Sequence, residues 1–426
     1  MEINQRMSKR FAWLLGVVVL VSIGVLVACG TTYNASSDGL VLVGSQGSGL
    51  IETFSFNLGS GSVSAISNTP TDTANQTCVL NGVPSSLVMD PKGTYAYAII
   101  NAVSPCPGST TGLLAFKVNS SGSTSPAGSL VPDPKPVAMA MDAAGKFLFV
   151  AEGVGGGVNV YAIGSSATLT PVPGNFTFPV TTMVPNFVAL AATPTVFPAI
   201  GINGVQNSVC SAVGLNPPTS EFLYVVDSQN YVVWEFGVDP STGALGNPGV
   251  ATMVPSIPTE PVPAGIAVDP CDRFVYVSGS LSNKINAYTI CSAVAPGCPL
   301  ADGSLKQVAG SPFSLSGSAI SPGPLVVDPF GNNVYVVGTL SNTVSPMKIS
   351  PISGALAPMS PATVATGQGP MSIAVRGDDN WMFVTNFGSA SPGGTVSQYA
   401  ITPATGALTA QPAIPTDNLP WGVAVK

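Results

Sequence analysis

From Leu40 onward the chain is a series of short apolar runs separated by turn residues. Each run is roughly four to seven residues long, alternates in polarity and ends at Gly, Pro, Asn or Asp, which is the pattern of short antiparallel strands. Residues Pro370 to Gly406 serve as the template. Pro370-Met-Ser-Ile-Ala-Val375 precedes a turn at Gly377-Asp-Asp-Asn380. Trp381-Met-Phe-Val-Thr-Asn386 follows, then a Gly/Ser-rich loop, then Gly394-Thr-Val-Ser-Gln-Tyr-Ala-Ile401 and the turn Thr402-Pro-Ala-Thr-Gly406. These segments predict strands a, b and c of one repeat, with a weaker strand d after them.

The same phrase recurs from Pro84, Pro136, near Pro185, Pro263 and Pro324. The copy near Pro185 carries an insertion at about 192–219 between its first two strands. The chain stops after Pro420-Trp-Gly-Val-Ala-Val-Lys426, a strand a with nothing following. It begins, at Leu40-Val-Leu-Val43 and Leu50-Ile-Glu-Thr-Phe-Ser-Phe56, with strands b and c that lack a strand a. Joined, the two ends complete one repeat. The expected architecture is therefore all-β: a seven-bladed β-propeller of four-stranded antiparallel blades spanning 39–426, its ring closed by the C-terminal strand completing the N-terminal blade.

Asp90-Pro-Lys-Gly93 and Asp328-Pro-Phe-Gly331 recur between strands a and b, with variants at Asp142 and Asp269. Asp can bond the turn backbone, Pro presets φ and Gly suits the fourth position, so these aspartates read as turn residues rather than a site.

Composition narrows the chemistry. The 426 residues include 47 Gly and 40 Pro, only 8% are charged, and the formal net charge is -7. No basic stripe follows the N-terminus, so nucleic acid is not an expected partner. His is absent. That removes Ser-His-Asp and Cys-His nucleophile systems and every His metal ligand. No Gly-x-Ser-x-Gly elbow occurs, and Gly153-Val-Gly-Gly-Gly157 reads as a hairpin loop rather than a phosphate cradle.

At the N-terminus, Arg6, Lys9 and Arg10 precede an apolar run from Phe11 to Val27 that ends in Leu26-Val-Ala-Cys29. This is the layout of a secretory signal, and Leu-Val-Ala-Cys resembles a bacterial lipobox. The resemblance implies a signal peptide over 1–28, lipidation of Cys29 and a polar tether over 29–38. An uncleaved membrane anchor is the alternative. Either way the propeller is expected outside the cytoplasm at the cell envelope. Six further cysteines then read as disulfides. Strand order puts Cys78 and Cys106 on one face and Cys210, Cys271, Cys291 and Cys298 on the other. The expected pairs are Cys78–Cys106, Cys291–Cys298 and Cys210–Cys271, with Cys271–Cys291 as the rival.

Phe383-Val-Thr-Asn386, the run Thr395-Val-Ser-Gln-Tyr-Ala-Ile401 with Thr405-Gly-Ala-Leu408, and Asp239-Pro-Ser-Thr-Gly-Ala-Leu245 resemble the lactonase-type (6-phosphogluconolactonase-like) and YVTN-repeat seven-bladed propellers. The resemblance covers nearly all of the mature chain. It implies lactone hydrolysis as one possible activity. Enzymes of that group carry histidines near the inner strands and an Asp-Leu-Gly-x-Asp loop after strand b, where this chain has Asp227-Ser-Gln-Asn230.

A propeller site is expected at the central channel, on the face built by the d–a and b–c loops. Asn101, Glu152, Asp227 and Asn386 end strand b there, and Lys135 and Trp421 enter strand a. Glu152 and Asp227 could form a catalytic carboxylate pair or hold Ca²⁺, or these residues could simply satisfy loop backbone groups. No other cofactor or metal is called for. Two functions follow: a lipid-anchored binding or scaffold module for a protein or glycan, or a lactone hydrolase using carboxylates or a metal in place of His. A monomer is expected.

Overall fold

The protein is seen here as a computed structural model that describes residues 38–69, 82–103, 109–173, 176–177, 186–193, 221–246, 256–292, 298, 300–316, 320–388, 393–417 and 419–426. Seven antiparallel sheets make up the ring. Their inner strands are Val83–Met89, Pro136–Met141, Phe187–Ala192, Pro263–Val268, Pro322–Val327, Pro370–Val375 and Pro420–Val425. Each of these strands packs beside its neighbours around the axis.

The closure is direct. Pro420–Val425 pairs antiparallel with Asp38–Ser45, Val41 opposite Val425 and Val43 opposite Val423. Blade one thus takes strand a from one end of the chain and strands b, c and d from the other, so the closure leaves no open sheet edge.

Strand b is buried along its whole length in every blade after the second, as in Glu221–Asp227 and Trp381–Asn386. Its two faces pack against the blades on either side, and apolar clusters fill the wedges between blades. This is why strand b reads as a near-continuous apolar run rather than a strict alternation.

Two motif positions have inter-blade causes. Tyr224, Tyr276 and Tyr335, at the centre of strand b, each donate a hydroxyl hydrogen bond to a glycine carbonyl in the next blade's c–d turn: Gly303 (2.6 Å), Gly354 (3.1 Å) and Gly406 (3.0 Å). Thr385 of Val-Thr-Asn donates to the Trp421 carbonyl in the next inner strand at 2.7 Å, and Ser278 does the same to Gly323.

The turn aspartates behave as expected. Asp90 Oδ1 accepts from the Thr94 and Tyr95 amides, and Asp142 Oδ1 from Lys146 and Phe147. Strand d is where the structure departs from a simple four-strand repeat. In blades two to seven it is broken into two short pieces, both paired with strand c, such as Leu305–Gln307 and Phe313–Ser314. Pro312 and Pro361 lie in two of these breaks, where a residue without an N–H suits an outer edge. Blade starts also shift slightly: the residues paired with the end of strand b are Val83, Phe187 and Pro322. A bulge follows Phe187 and Pro322 at once and comes one residue later, after Pro84, in blade two, so the outer end of the inner strand is set off from the regular ladder.

Cys291 and Cys298 form a disulfide, which rules out the rival Cys271–Cys291 pair. Cys271 is also disulfide-bonded, to a partner outside the described residues. Cys78, Cys106, Cys210, the lipobox with Cys29, most of the tether and most of the 192–219 insertion likewise lie outside them.

Candidate functional site

All seven inner strands converge on a channel cavity of about 210 Å³. Its wall includes Ser85, Ser86, Val137, Val188, Ala264, Pro324, Met371, Ser372 and Trp421, and none of its lining residues is ionisable. Small residues make this convergence possible. A Cβ at Gly422 would stand 2.4 Å from the Ser85 carbonyl oxygen of the next inner strand. Of the residues expected at the site, Trp421 lines this channel, and its ring meets Phe387 edge to face at 5.4 Å.

Asn101 and Lys135 sit together elsewhere, at a surface cleft of about 410 Å³ between blades two and three, lined also by Thr111, Pro134, Gly153 and Val154. Lys135 Nζ donates to the Val154 carbonyl at 3.2 Å, and Asn101 Nδ2 donates to Ser85 Oγ at 2.9 Å.

Glu152 belongs to a buried polar cluster beside that cleft. Asn159 Nδ2 donates both to Glu152 Oε1 (2.8 Å) and to Asp133 Oδ2 (3.1 Å), and the Tyr161 hydroxyl donates to Asp133 Oδ2 (2.7 Å). Asp133 Oδ1 has no partner. Burial, together with the hydrogen-bonded and negatively charged Asp133, pushes Glu152 upward. Two buried like charges cannot both ionise cheaply, which is the physical reason Glu152 is raised. Asp133 went unnoticed in the sequence. Its only local signal is a position three residues before an inner strand, a place that Glu260 and Asp417 also hold.

Asp227 does not join Glu152. Its Oδ1 accepts the amides of Asn186, Gln229 and Asn230, and its Oδ2 accepts Asn230 Nδ2 and Trp234 Nε1. Fully buried and fully bonded, it anchors the b–c turn of blade four. Asn386 is also buried, and its Nδ2 donates to Thr395 Oγ1 and Ser397 Oγ at 3.0 and 2.9 Å, fastening its own hairpin, while its Oδ1 has no partner.

A second buried acid, also missed in the sequence, is Glu52 in strand c of blade one. It accepts from the Ser45 hydroxyl and from the Asp417 amide. Burial, opposed by the Ser45 hydrogen bond and reinforced by Asp417, pushes it up to about 7. Among the described residues no group of three or more His, Cys, Asp or Glu is arranged as a metal centre.

The b–c tips on this face carry exposed apolar side chains in four successive blades. Val154, Tyr231, Leu281 and Leu340 are 60%, 43%, 74% and 72% exposed. Ser280-Leu281-Ser282-Asn283 and Thr339-Leu340-Ser341-Asn342 are near copies of one another.

Solved structures share this fold. A putative 6-phosphogluconolactonase from Bacteroides fragilis is 17% identical, with a TM-score of 0.64 over 93% of this chain and 100% of that one. The periplasmic gluconolactonase of Pseudomonas aeruginosa is 16% identical, with a TM-score of 0.65 over 91% and 99%. A protein from Lactobacillus plantarum is 14% identical, with a TM-score of 0.66 over 91% and 99%. At these identities the likeness is one of fold. No curated protein matches the sequence. Residues 47–179 and 215–364 match the family described as "Lactonase, 7-bladed beta-propeller", two thirds of the chain in blades that the structure closes into one ring, and the chain belongs to that family.

Proposed function

We propose that the protein is a lipid-anchored, extracytoplasmic binding module that docks a protein partner on its b–c face at the cell envelope. The observation that carries this reading is the arc of exposed apolar tips, Val154, Tyr231, Leu281 and Leu340. Large exposed apolar side chains recurring on one face mark interaction surfaces more often than isolated ones do. Chain direction supports it. Strand b of blade one starts at Asp38 on the opposite, a–b face, so a tether through residues 29–38 would leave from there and turn the tips away from the membrane. The channel wall, without an ionisable side chain, offers shape and hydroxyls rather than acid–base chemistry.

The test is site-specific photo-crosslinking in intact cells from positions 281 and 340, with Ile352 on the far face as control (92% exposed). A discrete protein adduct from 281 and 340, absent from 352 and lost in a Leu281→Asp/Leu340→Asp variant that still folds, is the expected result. The same faint adducts from all three positions would sink the proposal.

A second reading, lactone hydrolysis, is favoured by the Glu152–Asp133 pair and by the family. The protonated carboxyl would act as general acid toward the leaving oxygen and the ionised one as base toward water. Purified protein offered a panel of sugar lactones tests it. Turnover abolished by Glu152→Gln would establish this reading and displace the first.

A further inference from the structure

The a–b turns follow one template, yet adjacent blade junctions balance charge in different ways. At the junction of blades five and six, Asp269 accepts from Arg273 Nε (2.8 Å) and Nη2 (2.7 Å). The same guanidinium crosses to blade six and donates to the carbonyls of Gly331 (3.0 Å) and Pro351 (3.2 Å). Residue 331 is glycine for a steric reason, since a Cβ there would lie 2.4 Å from Asp269 Oδ1 and 2.6 Å from Arg273 Nη2.

One junction further on, the same three places hold Asp328, Asn332 and Asp379. The arginine is gone, and a second acid stands where the glycine was. Asp379 keeps the left-handed backbone of that position, with φ 57°. Asp328, Asn333 and Asp379 are all 0% exposed. Asn333 Nδ2 donates to Asp328 Oδ2, which holds the amide against that acid. Asn333 Oδ1 and both Asp379 oxygens have no hydrogen-bond partner. Lys348 is close enough to favour ionisation of both acids, yet it is exposed and forms no ion pair among those described. Arg376 is turned toward Asp378 and the Lys426 carbonyl instead.

Buried oxygens of this kind are costly unless something binds them. We propose that the blade six–seven junction is a binding site for a hard divalent cation of the calcium class, held by oxygens of Asp379, Asn333 and Asp328 and occupying the place that the Arg273 guanidinium takes one junction earlier. Two carboxylates and an amide oxygen suit calcium, which accepts irregular all-oxygen coordination, better than magnesium, which demands a tight octahedron. The competing occupant is a proton, since burial and then Asp328 push Asp379 up to about 8.

Calcium and terbium separate the two. Tyr335 lies beside both carboxyls, so bound Tb³⁺ would emit on tyrosine excitation. Chelator-treated protein is expected to gain several degrees in Tm on adding CaCl₂ and to show sensitised Tb³⁺ emission that calcium displaces. Asp379→Gly, which restores the residue used at the preceding junction, is expected to fold and to lose both responses. Asn332→Arg, which supplies an internal cation, is expected to lose the calcium response while keeping its stability. Wild type without a calcium shift or sensitised emission would overturn the proposal in favour of the proton. An undiminished response in Asp379→Gly would overturn it by placing the ion elsewhere.

Discussion

Phe222 of blade four lies flat against Gly303 of blade five, so close that a Cβ on the glycine would come within 2.2 Å of the ring. The contact recurs around the ring. Phe147 meets Gly243, Phe274 meets Gly354 and Trp381 meets Gly61, each glycine having φ between 70 and 74°. The Thr-Gly-Ala-Leu turn that looks like local hairpin chemistry is therefore also the socket for the preceding blade. Gly303→Ala combines a clash with left-handed strain. It is expected to destabilise the protein by about 1–3 kcal/mol, read as a lower urea midpoint with an unchanged slope. Gly246→Ala, with nothing within 4 Å of its Cβ, is the control and is expected to be near neutral.

The tyrosine hydroxyls crossing the same seams give a second expectation. Tyr276→Phe leaves the Gly354 carbonyl without its buried donor. It is expected to cost about 1–2 kcal/mol, measured by the same denaturation. No change would mean that water replaces the bond.

Glu221 and Asp272 give the protein a pH dependence. Both are buried, neither carboxyl has a hydrogen-bond partner, and burial, with Asp142 near the first and Asp269 near the second, raises each to about 8. A raised folded pKa means that the native state holds the proton more tightly than the unfolded chain. The stabilisation is complete below the ordinary carboxylate range and is lost as pH climbs through about 8. Melting temperature is thus expected to fall across this window, and Asp272→Asn or Glu221→Gln to flatten the fall. A Tm that rises toward pH 8 would contradict it.

The Cys291–Cys298 bridge closes a short loop, with a sequence separation of seven. Loop-closure entropy for that length is worth about 2 kcal/mol. Cys291→Ser/Cys298→Ser is expected to lose about that much, and reducing agent is expected to have less effect on the variant than on wild type. A double variant as stable as the parent would show that the loop is ordered without its bridge.

Much of this ring was legible in the sequence because its signals are local and repeated. Apolar runs, Asp-Pro turns and the cut-off copy at Pro420 fix the blade count and the closure. Site chemistry was less legible because it depends on residues that meet across seams. Glu152 stood out as a strand-end acid, but its partner Asp133 comes from the preceding d–a connection and Tyr161 from the middle of strand c. Asp227 read either as half of a carboxylate pair or as an acceptor for loop backbone groups, and the five donors that converge on it decide for the second. Asp379 looked like one more turn residue. Its position becomes informative only beside Gly331, which occupies the same place in the neighbouring blade.

The pairing of Val41 with Val425 also governs when the molecule can form at all. These partners lie almost the full chain apart, so ring closure carries the largest loop-entropy cost of any contact in the fold. Until the final strand is in place blade one has an open inner edge, although its strands b and c already offer apolar faces to blades two and seven. Without that strand the seven blades form an open arc, and its pairing turns the arc into a closed ring.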